Sequence, residues 1–140
     1  MGRFLLDTNI LIFLLLGEND QLSNDVDFII ETAQGNLNTS SISVTELVQL
    51  YKIKKIKSKK YKAAFELVQA IERDLYIKIL PFAKEHTEML SRLEIAEGHH
   101  DPFDHSIISH AITEKLTLVS SDRKFEKYTK QKLNFVFNKR

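Results

Sequence analysis

The sequence contains no cysteine, no tryptophan, two prolines and four glycines in 140 residues. Without cysteine, disulfides, thiolate nucleophiles and Cys-type zinc sites are excluded, and the composition fits a reducing cytoplasm. So little proline and glycine argues against a disordered or loop-dominated chain. An excess of one charge is lacking too: 20 Lys and Arg face 19 Asp and Glu, for a formal net charge of +1. The whole-chain balance therefore selects no partner, and any nucleic-acid signal must come from local clustering. Long apolar runs are also missing. Ile10 to Leu16 is seven residues, whereas a spanning helix needs roughly 20. Asp7 interrupts what would be the apolar part of a signal peptide, so neither export nor membrane insertion is expected.

What remains is an ordinary globular composition, 43% hydrophobic and 28% charged. Domains commonly run to about 100–150 residues, so residues 1–140 are expected to form one domain. Arg3 to Leu6 reads as a short buried strand, and a helix follows to about Leu16, stopped by Gly17. Asn24 to Gln34 has a helical apolar face, and Leu37 to Ile42 is a weaker strand. Ser43-Val44-Thr45-Glu46 has the form of a capping box opening the next helix, with Glu46 as the capping acid. Further helices are expected over Ser58–Asp74 and Phe82–Glu97, with a strand at Leu75–Leu80 before Pro81. Asp101-Pro102 should cap and open another helix. Leu116–Val119 is a clear strand, Arg123–Tyr128 a short helix, and Asn134–Phe137 a last strand. This alternation implies an α/β fold of three layers, α/β/α, around a central parallel sheet.

Within that pattern the acids are unevenly placed. Asp7 lies between two apolar runs, where a buried unpaired carboxylate is costly unless it is paired, metal-bound or protonated. Asp7, Asp122 and Glu46 all stand where strands give way to helices, and Asp104 falls in a first helical turn. The C-terminal ends of parallel strands share one edge, the usual ligand edge, so these four acids are expected to converge. Clustered carboxylates repel and would take up protons without a cation. With a hard divalent cation they form an oxygen site suited to Mg²⁺ or Mn²⁺, able to polarise a phosphoryl oxygen and activate water. Each acid also has a plainer reading: Asp7, Glu46 and Asp101 as helix caps, Asp122 as the start of a turn.

Leu5-Leu6-Asp7-Thr8-Asn9, Thr45-Glu46-Leu47, Asp101-Pro102-Phe103-Asp104 with Ile107-Ile108 and Ala111, and Val119-Ser120-Ser121-Asp122 together resemble PIN-domain ribonucleases, and most of all VapC-type toxins of toxin–antitoxin pairs. The likeness spans nearly the whole chain in the family's order. It implies that Asp7, Glu46, Asp104 and Asp122 are catalytic, metal-binding acids, with Asn9 and Ser120 as polar supports. Ser120 stands where threonine is common, and His105 where arginine is. The implied activity is Mg²⁺-dependent endonucleolytic cleavage of RNA, with Mn²⁺ able to substitute. The implied partners are a cognate antitoxin and a second copy of the chain. The alternative is a PIN-like module that binds RNA or protein without cutting.

Asp101 reads as an N-cap or outer-shell support more than as a direct ligand. His99, His100 and His105 lie beside the acids and read as solvated loop residues or phosphate contacts. His86 and His110, in helical stretches, read as half-buried packing. Lys52 to Lys62 holds seven lysines and no acid. It is either a solvated junction between helices or a contributor to RNA-backbone affinity. Lys54, Lys55, Lys57, His105 and Arg123 are the candidate substrate contacts.

Overall fold

A computed structural model describes residues 2–140. Five parallel strands, β1 (Phe4–Leu6), β2 (Leu37–Ser40), β3 (Lys78–Leu80), β4 (Thr117–Ser120) and β5 (Asn134–Phe137), form one sheet in the order β3-β2-β1-β4-β5. The helices are α1 (Thr8–Leu15), α2 (Asn24–Thr32), α3 (Ser41–Lys52), α4 (Ala64–Arg73), α5 (Lys84–Arg92) and α6 (Pro102–Glu114). Two 3₁₀ segments, Asn19–Gln21 and Arg123–Gln131, complete the list.

The pleat of the central strands divides the core. Successive side chains on a strand point to opposite faces. Leu6 and Val119 join α1 to α4 in one buried cluster, while Leu5 and Leu118 join Ile107, Ile108, Phe125 and Tyr128 in another. Both faces of β1 and β4 are thus covered, which is why those strands read as uninterrupted apolar runs. The result is the expected three-layer α/β/α arrangement. The chain builds outward from β1 to β3, then returns across the sheet to β4 on the other side of β1. That reversal is a topological switch point, where neighbouring connections diverge and leave a crevice.

Several boundaries differ from those read in the sequence. β2 ends at Ser40, opposite Leu80, and Ser40 itself caps α3 by accepting from the Ile42 N–H at 3.1 Å. Ser43 is therefore inside the first turn, buried with its hydroxyl unpartnered among the described residues, and no Ser43 capping box forms. The expected helix at Ser58–Asp74 forms only over Ala64–Arg73. Its lysine-rich beginning is a loop in which the Tyr61 N–H donates to Ser58 Oγ. The expected helix over Phe82–Glu97 stops at Arg92, because Leu93 turns extended and packs with Ala96 against the second cluster. β3 is shorter than the expected strand, since Tyr76 adopts a positive φ of 56° just before it.

Asn138, buried just past β5, ties the C-terminal segment to the turn before α2 and to the end of β4. Its Oδ1 accepts from the Ser23 N–H at 2.6 Å, and its Nδ2 donates to Gln21 O at 2.9 Å and Ser121 Oγ at 2.8 Å. Asn138→Ala should lower the unfolding free energy by about 1–3 kcal/mol by leaving these partners unpaired. Urea denaturation followed by circular dichroism measures this, and an unchanged midpoint would refute it.

Candidate metal and nucleic-acid site

The acids meet at the switch point. Asp7, Glu46, Asp101, Asp104 and Asp122 line one cavity of about 210 Å³ with Thr8, Asn9, Ile12, Leu50 and Lys124. Two larger cavities, about 550 and 620 Å³, flank the lysine-rich loop. Chemistry rather than size distinguishes the acid cavity.

Asp7 ends β1 and caps α1, its Oδ1 accepting from the Thr8 N–H at 2.8 Å. Its Oδ2 accepts from Ser120 Oγ at 2.6 Å and from Asn9 Nδ2 at 3.2 Å. Ser120 ends β4 and uses its full hydroxyl capacity, since its oxygen also accepts from Asn9 Nδ2 at 3.2 Å and the Asp122 N–H at 3.0 Å. Asn9 in turn accepts from the Ser121 N–H at 3.1 Å. The ends of β1 and β4 are thereby locked together, and Asp122 is fixed where it caps the 3₁₀ segment through Lys124 N–H. Glu46 sits one turn inside α3, and Thr8 Oγ1 donates to its Oε1. Asp104, in the first turn of α6, follows the cap that Asp101 Oδ1 makes with the Phe103 N–H at 2.9 Å.

Burial and like charge govern the electrostatics. Asp7 has its pKa pushed up to about 7 by burial, against hydrogen bonds from Ser120 and Thr8 and with the Asp104 and Glu46 charges adding to the rise. Asp104 is also raised to about 7, by burial first and then by Asp101, Asp122 and Glu46. Burial raises Glu46 too, opposed by Thr8. Donors from the scaffold therefore do not compensate the cluster. Glu46, Asp104 and Asp122 each give one carboxylate oxygen to a protein donor and leave the other without a protein partner among the described residues. Such a set of free, hard oxygen donors fits a divalent cation of the Mg²⁺ or Mn²⁺ class.

The PIN domain family model matches residues 4–131. The chain belongs to the PIN-domain family. Similar solved structures include DNA-bound VapBC from Salmonella typhimurium, with a TM-score of 0.69, 22% identity and 98% of each chain covered. VapBC2 from Rickettsia felis bound to a promoter DNA fragment gives 0.66 and 23% over 97% of this chain and 98% of that one. FitAcB from Neisseria gonorrhoeae gives 0.63 and 20% over 96% of each. Curated proteins provide no match. No helix among the described residues is long and apolar enough to cross a membrane.

The PIN domain brings together Asp7, Glu46, Asp104, Asp122 and Asp101, with Asn9 and Ser120 behind them. It does not bring the candidate substrate contacts there. His105 Nε2 is bonded to His99 O at 2.9 Å, and the Arg123 guanidinium lies over the Phe137 ring at 4.3 Å. Lys54 and Lys57 line the 550 Å³ cavity at the far end of α3. Lys124, which sequence reasoning passed over, is the base that lines the acid cavity; its neighbour Asp122 is the signal that points to it. Glu46 is not a capping acid, because Ser40 begins the helix six residues earlier. His99 is not a solvated loop residue: it is 2% exposed and bonded to Asp104 and Tyr128.

His86 and His110 are also fully buried rather than half-buried, their rings 4.0 Å apart between α5 and α6. Together with Glu114 they form a metal-like grouping. However, His86 Nδ1 accepts from the Ala83 N–H at 2.8 Å, so its Nε2 carries the proton and donates to Glu114 at 2.7 Å. A His ligand normally donates its second ring N–H outward, which this arrangement forbids. The group is a hydrogen-bonded clasp between two helices.

The raised carboxyls set a pH dependence. Unfolded, Asp7 and Asp104 titrate near 3.8; folded, near 7. The folded state binds more protons in between, so the contribution of these two carboxyls to stability is greatest in acid and is lost as pH rises through about 7. In EDTA the urea midpoint should fall from pH 5 to pH 8, and millimolar Mn²⁺ should reverse the fall. A midpoint that rises over this range contradicts the assignment.

Proposed function

We propose that this PIN domain, spanning residues 1–140, is a divalent-metal-dependent endoribonuclease, the VapC-type toxin of a toxin–antitoxin pair. The observation that carries the proposal is the convergence of Asp7, Glu46, Asp104 and Asp122 on one cavity at the sheet's switch point. Asp7, Glu46, Asp104 and Asp122 hold the cation, Mg²⁺ with Mn²⁺ able to replace it. When bound, it supplies Lewis-acid polarisation of a phosphodiester and a more acidic water.

The chain's own residues set the geometry. Ser120 and Asn9 fix Asp7, and Thr8 fixes Glu46, so that the carboxylates are preorganised rather than collected at the moment of reaction. Among the described residues, the hydroxyls bonded to Asp7 and Glu46 are those of Thr8 and Ser120, and both are committed as donors to carboxylates. Hydrolysis by water therefore fits better than attack by a protein nucleophile: water forms the new P–O bond and the bond to the leaving oxygen breaks. Lys124 at the cavity and Lys54, Lys55 and Lys57 beyond α3 attract the phosphate backbone without reading sequence.

The folds of VapBC and FitAcB support an antitoxin as partner. A second copy of the chain as homodimer partner and a cytoplasmic location complete the proposal.

Asp7→Asn should abolish cleavage of RNA in Mg²⁺ while the protein stays folded and resists urea better, since one repelling carboxyl is gone. EDTA should silence the wild type. A purified Asp7→Asn variant that cuts at the wild-type rate sinks the mechanism. Metal-bound, folded protein that never cuts RNA leaves the non-catalytic binding module. Replacing Lys54, Lys55 and Lys57 together by Ala should weaken RNA binding and lower the slope of log affinity against log salt, by up to roughly 0.7 per lost phosphate contact on a single strand. An unchanged slope removes these lysines from the RNA path.

A further inference from the structure

We infer that His99, backed by Tyr128, is a positioning residue that fixes the Asp104 carboxylate for the divalent cation; this rests on the metal-site reading above. His99 Nε2 lies 2.9 Å from Asp104 Oδ2, and its Nδ1 lies 2.7 Å from the Tyr128 hydroxyl. The Tyr128 oxygen also accepts from the Ala96 N–H at 3.0 Å. With a cation holding Asp104 ionised, its carboxylate only accepts, so Nε2–H donates to Asp104 and Nδ1 accepts from Tyr128 O–H. The direction of every hydrogen bond follows: Ala96 to Tyr128, Tyr128 to His99, His99 to Asp104.

Three features mark this chain as more than packing. Both ring nitrogens of His99 are engaged and the residue is 2% exposed, so it is neither a ligand nor a proton acceptor for solvent. The bond occupies one oxygen of a carboxylate that lines the cavity and leaves the other without a protein partner among the described residues, which limits how that carboxylate can bind an ion. Tyr128 lies six residues after Asp122, on the 3₁₀ segment that Asp122 caps. The relay therefore ties the segment carrying Asp122 to the helix carrying Asp104. The segment from Leu93 to His100 leaves helical geometry to deliver Ala96 and His99 to this point. Partners of metal-binding carboxylates and imidazoles tune affinity by holding their orientation.

Isothermal titration with Mn²⁺ at fixed pH tests the inference on wild type, Asp7→Asn, His99→Ala, His99→Gln and Tyr128→Phe, with each fold checked by circular dichroism in EDTA. His99→Ala should weaken Mn²⁺ binding by roughly 10- to 100-fold. His99→Gln, which restores an N–H donor, should recover most of the loss, and Tyr128→Phe should show a smaller loss in the same direction. A folded His99→Ala protein with wild-type Mn²⁺ affinity overturns the inference, as does lower thermal stability in EDTA with unchanged affinity, which is what packing alone gives. Should His99→Ala not fold, Tyr128→Phe decides, because it keeps the buried ring and deletes only the hydroxyl. Unchanged affinity there overturns the relay. Wild type that takes up no Mn²⁺, or Asp7→Asn that binds it normally, overturns the metal-site reading itself. Binding lost in Asp7→Asn but kept in His99→Ala fails the inference alone.

Discussion

The burial of carboxylates that also repel one another is the constraint on which the rest of this structure depends. Asp7 and Asp104 are both buried; Asp7 also feels Asp104 and Glu46, and Asp104 feels Asp101, Asp122 and Glu46. Ser120, Asn9, Thr8 and His99 all aim donors at these acids, yet Asp7, Glu46 and Asp104 are still held above the usual carboxylate range. A cluster meant only to stabilise the fold would gain by replacing acids with neutral residues of similar shape. Retaining them makes sense when something outside the chain supplies the missing positive charge. Lys124 is too little and too exposed to do so.

The topology explains why residues so far apart in sequence share that burden. β1 is central, and β2 and β4 flank it, so the three strand ends that matter are neighbours across the ladder. Each strand end contributes differently. β1 delivers Asp7 directly, β4 delivers Ser120 and then Asp122, and β2 delivers Glu46 one turn into the helix it launches. Asp104 comes from the crossover that carries the chain from β3 back to β4. Asp101 caps that crossover helix and Pro102 opens it, which sets the angle at which Asp104 enters. Caps and ligand-like acids are therefore two parts of one device: the cap residues fix helix starts, and the starts aim the acids.

Local signals account for what the sequence disclosed. Asp7 after Leu5-Leu6, Asp101-Pro102 and Val119-Ser120-Ser121-Asp122 are each written in adjacent residues, and the strands at Phe4–Leu6, Thr117–Ser120 and Asn134–Phe137 lie within a residue of their expected positions. Features set by distant contacts were not legible. Ser40, Ser41 and Ser43 can all cap a helix, and only the pairing of β2 with β3 selects Ser40. Glu46 looked like a capping acid because its true partner, Thr8, lies 38 residues away. His99 looked solvated because Tyr128, 29 residues later, is what buries it. Ser58 to Ala63 looked helical because the apolar periodicity that begins at Ala64 does not by itself mark where its helix starts.

Helix α3 joins the two opposite charge fields of a nearly neutral chain. Glu46 stands near its start and Lys52 at its end, six residues or about 9 Å of helix apart. On the ribonuclease reading, the acid cavity alone would repel a polyanion, and the lysines alone would hold it without cutting. A divalent cation among the carboxylates offsets part of their charge and puts a positive centre inside the cavity, so the cavity repels phosphate less when loaded than when empty. The lysines then lie beside a weaker repulsive field. Metal and RNA binding should consequently reinforce each other. That coupling is purely electrostatic and asks for no change in the fold, because Ser120, Thr8 and Asn9 already hold Asp7 and Glu46 in place.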